Sequence, residues 1–237
     1  MTDDDGAGGL SGKIVNFLFG TVLAGLVATG FTYKSWREQT RLDFAKERLA
    51  DATKTFDNAS QLISERVFRS YDVQKHISDD DTVTFAKRSD KLESAIENWN
   101  LAYADMLQRF QFALEVDDDG KTRPYRNVHT TDFYQHLDCA KALDDHNRPG
   151  QADWSSPSWL FAALHYCFIY TDVGRKTDEL RKEQLSPARD VEVKKLDDEI
   201  NNLDALAGHV RVASKKAIER MRRSVETHSY WEFLKGW

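Results

Sequence analysis

Between Phe31 and Asp119 the chain contains neither a glycine nor a proline. Glycine weakens regular structure through backbone entropy, and proline through its missing N–H and its ring. So long an interval without either admits long helices and little else. Four prolines, Pro124, Pro149, Pro157 and Pro187, divide the remainder. No stretch sustains the period-two alternation of a strand. The expectation is an all-α chain, a few long helices with one irregular insert at about 117–156.

An uncharged run from Ile14 to Tyr33, IVNFLFGTVLAGLVATGFTY, overlaps the start of that interval. As a helix it is about 30 Å long, the thickness of a bilayer's hydrocarbon core. The leading MTDDDGAGGLSGK holds three aspartates and one lysine, and the run closes on Phe31-Thr32-Tyr33. A cleaved signal would start basic and end at a small-residue site. This pattern predicts a retained single transmembrane helix at 14–33, a disordered tail at 1–13 and a helical-bundle domain at 34–237. Tyr33, Lys34, Trp36 and Arg37 would sit at the headgroups, making the lipid bilayer a partner. Only Lys13 precedes the run, whereas Lys34, Arg37, Arg41, Lys46 and Arg48 follow it. Basic residues resist transfer across a membrane, so the expected placement is a cell-membrane protein with its N-terminus outside and its large domain cytoplasmic. Inside the run, Gly20, Ala24 and Ala28 form one small-residue stripe, and Thr21, Gly25 and Thr29 the next. Such stripes let helix backbones approach closely in lipid.

Downstream, Leu42, Ala45, Leu49, Ala52, Phe56, Ala59 and Ile63 follow a 3-4 spacing, which then steps to Val67 and Tyr71. That is the seam of a long helix ending near Ile77, fitting either an intramolecular bundle or a parallel coiled coil between copies. Ser78-Asp79-Asp80-Asp81 signals a turn and a helix start. The next helix should run to about Val116, burying Leu92, Ala95, Trp99, Ala102, Met106, Phe110 and Ala113. A short helix is expected at Thr131–Asp144. Ser155-Ser156-Pro157 opens another, apolar all round from Trp159 to Tyr170 except for His165. A helix without a polar face belongs at the centre of a fold. It is expected to extend past Gly174 to Gln184. The last helix should start at Ser186-Pro187 and end near His228, burying Leu196, Ile200, Leu203, Ala207, Val210, Ala217 and Met221, with Ser214 interrupting. These elements make an elongated antiparallel bundle continuing from the membrane helix.

Charge and cysteine content bound the partners. Thirty-three basic against 39 acidic residues give a net charge of −6, so nucleic acid is not an expected partner. Cys139 and Cys167 are too few for a disulfide framework, which agrees with a cytoplasmic domain but leaves one disulfide open. Arg211, Lys215, Lys216, Arg220, Arg222 and Arg223 form a basic stretch ahead of Tyr230-Trp231-Glu232-Phe233-Leu234-Lys235-Gly236-Trp237. That order suits an anionic leaflet, or aromatics that close the end of the bundle.

Catalytic and metal motifs are sparse. Arg222 or Arg223 with His228, Arg123 with His129, and Arg69 with His76 place four to six residues between arginine and histidine. This spacing resembles the active-site pattern of HEPN-type ribonucleases, all-helical proteins whose pair lies near a dimer interface. The resemblance implies an arginine that polarises a phosphate and a histidine that moves a proton. Asp132, His136 and Cys139 share one face of the expected short helix, with His129 and His146 near in sequence, but no paired motif completes a zinc set. Asp117-Asp118-Asp119-Gly120 opens like a calcium loop, yet Arg126 stands where the closing glutamate belongs. The chain has no Gly-rich phosphate loop, no G-x-S-x-G and no H-E-x-x-H. No cofactor is expected. The functional expectation is a non-enzymatic, membrane-anchored scaffold or effector that binds a protein partner or its own copies. A membrane-tethered HEPN-like ribonuclease and an oligomeric membrane pore of a defence system are the alternatives.

Overall fold

The computed structural model describes the backbone of residues 8–78, 81–116, 139 and 156–235, and side chains within those ranges from Gly20 to Thr227. Among the described residues the protein is helical and contains no strand: α1 (Gly8–Lys75), α2 (Thr82–Arg109), α3 (Pro157–Thr171), α4 (Val173–Lys182) and α5 (Pro187–Lys235). The chain divides into two units, Met1–Lys46 and Glu47–Trp237.

In the larger unit the helix starts follow local chemistry. The Asp81 carboxylate accepts from the backbone N–H groups of Val83 and Thr84 at 3.0 and 3.1 Å, capping α2. Ser156 caps α3 by accepting from Trp159 N–H at 3.1 Å, and Pro157 occupies the first turn, where its missing N–H costs nothing. Glu115 reinforces this start from outside the helix. Its Oε1 accepts from Ser158 N–H at 2.9 Å and from the Ser156 and Ser158 hydroxyls at 2.6 and 2.7 Å. A carboxylate at a helix N-terminus is favoured by the partial positive charge there.

Cross-helix partners give the directions. Asp72, Arg66 and Asp51 of α1 meet Arg88, Trp99 and Arg109 of α2, so the numbers run in opposite senses. Tyr71 and Ser64 of α1 likewise meet Asn201 and Arg211 of α5. Lys176 of α4 pairs with Glu199 of α5 at 2.6 Å. α1, α2 and α5 therefore form an antiparallel bundle. α3 packs against α2 and α5, with eleven of its residues buried, including the whole stretch Pro157–Leu164. One core cluster joins α1, α2, α3 and α5 around Ile63, Trp99, Phe161 and Val210. A second joins α1, α2, α4 and α5 around Val73, Leu92, Leu180 and Ile200.

Three expectations need correction. The helix at 82 does not continue regularly to Val116; Phe110–Leu114 makes a π-helical turn. The extra residue per turn brings Phe110, Gln111, Ala113 and Leu114 all inside. Residues 157–184 are not one helix, because Asp172 adopts the left-handed conformation (φ 42°, ψ 57°) and separates α3 from α4. The last helix passes His228 and ends at Lys235. The α1 seam steps to Val67 as its spacing predicts, with Tyr71 partly buried against both core clusters, and Arg66, Ser70, Val73 and Ile77 are buried beside it. The short helix at Thr131–Asp144 and most of the insert lie outside the described residues.

The smaller unit carries residues 8–46 of α1. Its side chains from Gly20 to Arg37 are exposed, including Leu26 (66%) and Phe31 (74%). The Thr29 and Thr32 hydroxyls donate to the carbonyls four residues back, Gly25 and Ala28. Among the described residues no helix is long and apolar enough to cross a membrane. The side chains of Ile14–Phe19 lie outside that description, and from Gly20 only a short apolar stretch precedes Lys34. The structure supports a helix here and does not support its assignment as a transmembrane span.

Candidate functional site

In the larger unit a buried cation, Arg66, stands among aromatic side chains of α2 and α3. This side chain leaves α1 between Ile63 and Val67, on the face that the seam turns inward, and is 5% exposed. Helical spacing supplies its neighbours in pairs. Trp99 and Tyr103 stand one turn apart on α2; Phe161, His165 and Phe168 line one face of α3. The Arg66 guanidinium carbon lies 4.3 Å from the Phe168 ring centroid and 5.7 Å from that of Trp99. Ring faces attract a cation, which holds the guanidinium plane in place. Among the described residues no carboxylate lies within ion-pair distance of Arg66, and its Nη1 is buried with no hydrogen-bond partner.

Burial draws the Arg66 pKa down to about 10, opposed by the charge of Asp172, so the group remains a cation at neutral pH. Asp172 is held by its own geometry. Its N–H donates to Phe168 O at 3.3 Å, and its carboxylate accepts from Arg175 Nε at 2.9 Å. Aspartate tolerates the left-handed region better than most side chains, and the chain leaves it with Val173 in the second core cluster.

His165 completes the group. Its ring stacks on Tyr103 with centroids 3.5 Å apart and an interplanar angle of 11°. Trp99 Nε1–H donates to His165 Nδ1 at 2.8 Å, which requires a lone pair on that nitrogen. Burial first, and the Arg66 charge second, push the His165 pKa down to about 4. The imidazole is therefore neutral at pH 7 and its Nδ1 is already used. That arrangement positions rings and leaves a cation; it does not set up proton transfer from Nδ1.

A cavity of about 230 Å³ opens beside this group. Leu92, Ile96, Phe168 and Val173 supply its apolar wall, while Arg66 and Asp172 supply opposite charges. The arrangement has the parts of a small-molecule site: apolar surface with a few convergent polar groups.

The residues singled out from sequence fare differently. Gly20, Thr21, Ala24, Gly25, Ala28 and Thr29 sit on the exposed part of α1, and a Cβ on Gly20 or Gly25 would meet nothing within 4 Å. Tyr33, Lys34, Trp36 and Arg37 are exposed there too, with the Tyr33 and Trp36 rings 6.2 Å apart. Arg222 and Arg223 are exposed on α5; the His228 side chain lies outside the described residues, as do Arg123 and His129. Arg69 is tied to Glu65 at 2.7 Å, and His76 Nδ1 contacts Asp72 O at 2.8 Å past the end of α1. Among the described residues, Arg69 and His76 are thus each engaged with a different residue of α1. Asp132 and His136 are outside them. Cys139 is bonded to Cys167, with Cα atoms 5.4 Å apart, so its sulfur is no free thiolate for a metal. Among the described residues no group of three or more His, Cys, Asp or Glu is placed to hold a metal ion.

Sequence reasoning missed Arg66 and Asp172. One available signal was His165, the single polar residue in an otherwise apolar helix. Compared with protein-family models, curated proteins and solved structures, the chain matches none of them.

Proposed function

We propose that this protein is a membrane-anchored helical scaffold, held at the bilayer by residues 14–33 and presenting its bundle to a protein partner or a second copy. The supporting observation is the exposure of Val22, Leu23, Leu26, Val27, Phe31, Tyr33 and Trp36 on one helical segment. Apolar area of that extent is unfavourable in water and needs a cover. The uncharged sequence continues it back to Ile14, to bilayer length. The Thr29 and Thr32 hydroxyls bond their own helix, which suits them to an apolar medium where water offers no partner. On the bundle, exposed Phe68, Leu101 and Phe112 provide apolar contact points for a partner.

The basic flank after Tyr33 favours the cytoplasmic side for the bundle. The Cys139–Cys167 disulfide argues the other way, since such bonds persist mainly in oxidising compartments, and it removes the support that cysteine content lent to the cytoplasm. Fractionation of the full chain tests the anchor. Wild-type protein should stay in the membrane pellet through a carbonate wash, and Leu23→Asp combined with Val27→Asp should release it. Wild-type protein in the carbonate supernatant would remove the proposal. Thiol alkylation in sealed spheroplasts, with and without reductant, reads the side directly.

A further inference from the structure

We propose that the cavity beside Arg66 binds a small carboxylate, singly charged and with an apolar body. Three features of the site select that class, none of them shared with the membrane proposal. The first is the unpaired cation. Arg66 is nine-tenths buried, its Nη1 has no acceptor, and no carboxylate lies within ion-pair distance among the described residues. Nη1 is the donor left open to an anion's oxygen, and the planar geometry of a guanidinium suits a carboxylate. Stacking on Phe168 and Trp99 holds the fork in orientation before anything binds, which reduces the entropy lost on binding.

The second feature is the wall. Leu92, Ile96, Phe168 and Val173 line the same cavity and would cover a short hydrocarbon body. The volume of about 230 Å³ is below the usual range for drug-sized ligands and corresponds to about eight water-sized groups. The third is Asp172, whose charge already reaches Arg66. A second negative charge on the ligand would meet that carboxylate across the cavity, so a monoanion is favoured over a phosphate dianion. Asn100, exposed at the edge, marks the mouth.

Isothermal titration calorimetry on purified full-length protein tests this with hexanoate, hexanol and hexyl phosphate as probes. Hexanoate should bind saturably to the wild type, and at least tenfold more tightly than the neutral hexanol or the dianionic hexyl phosphate. Arg66→Met should weaken hexanoate at least tenfold. Because Arg66 lies in the core, Asn100→Trp serves as the second variant. It fills the mouth from an exposed position, and should abolish hexanoate binding while leaving the ligand-free unfolding midpoint in place. Three results would each overturn the proposal: no saturable hexanoate binding to the wild type up to about 10 mM, equal binding to either variant, or hexyl phosphate binding as tightly as hexanoate.

Discussion

Arg189 stands at the start of α5, where a cation is disfavoured by the helix's own partial charge, and is 4% exposed. Its position makes sense only through what it reaches. Nε donates to Leu180 O at 2.8 Å, in the last turn of α4, and Nη2 donates to Ile77 O at 3.3 Å, just past α1. Carbonyls at helix ends lack intrahelical donors and carry partial negative charge, so one guanidinium satisfies two helix termini at once. Replacing it with methionine keeps the length and removes every donor. Hydrogen bonds to charged groups contribute about 1.5–3 kcal/mol each, the shorter one here near the top of that range and the longer near its bottom. Burying the methionine in place of a desolvated charge returns about 1.5 kcal/mol. The net loss for Arg189→Met is then about 3 kcal/mol. At about 2–4 °C per kcal/mol for a unit of this size, the melting midpoint should fall by roughly 6–12 °C. Urea unfolding followed by circular dichroism measures the loss, and Arg189→Lys, with its charge kept but its fork gone, should fall between the two. Arg189→Met within about 0.5 kcal/mol of wild type, the scatter of ordinary surface changes, would refute the idea that this cation ties the helix ends together.

Two further outcomes follow from the same core. Cys139 and Cys167 are 28 residues apart, and closing a loop of that length stabilises a fold by about 3.5 kcal/mol in the chain-entropy account. Adding reductant should lower the urea midpoint accordingly; an unchanged midpoint with two free thiols counted by titration would contradict it. His165 is held near pKa 4 against 6.5 for the free group, so below pH 6.5 the unfolded chain takes up a proton that the folded one refuses. Stability should therefore fall as pH drops from about 6.5 toward 4, with no contribution from this group above that window. His165→Gln, which keeps an acceptor for Trp99, should flatten that part of the profile, and parallel wild-type and variant profiles would count against the assignment.

The long helices were legible because their apolar positions repeat at helical spacing. Leu92, Ala95, Trp99, Met106 and Phe110 are all buried as their period requires, and so are Leu196, Ile200, Leu203, Ala207, Val210, Ala217 and Met221. The register of α1 past Ile63 was legible only in part. Val67 is buried and Tyr71 packs against the core, but Arg66, Ser70 and Gln74 also fill core positions there, and a hydrophobicity pattern scores them as surface. The break at Asp172 was hidden in a similar way. Gly174 was the visible breaker, yet the left-handed residue is an aspartate two positions earlier, selected by where α4 must go to bury Val173, Thr177 and Leu180. The π-helical turn leaves no mark in FQFAL, whose residues are all ordinary helix formers; burial of neighbouring positions creates it. Pairing of the two cysteines depends on tertiary proximity, which spacing along the chain does not encode.

Arg66 and Arg189 make the case for the cavity through their contrast. Both are guanidinium groups on long helices, both are nearly inaccessible, and both face helix ends or turns from within the core. Arg189 ends on two carbonyls that need donors, so its burial is accounted for by the fold alone. Arg66 ends on two ring faces, with Nη1 unbonded and, among the described residues, no carboxylate within ion-pair distance. Replacing a buried ion by an apolar group of similar volume is often neutral or stabilising, so packing by itself gives no reason to keep an arginine there. A methionine would pack against Trp99 and Phe168 and bring no charge to be desolvated. What an arginine adds at that point is a fixed cation facing Asp172 across a cavity with hydrocarbon walls. Anion recognition, as proposed above, is the role that would account for that cation.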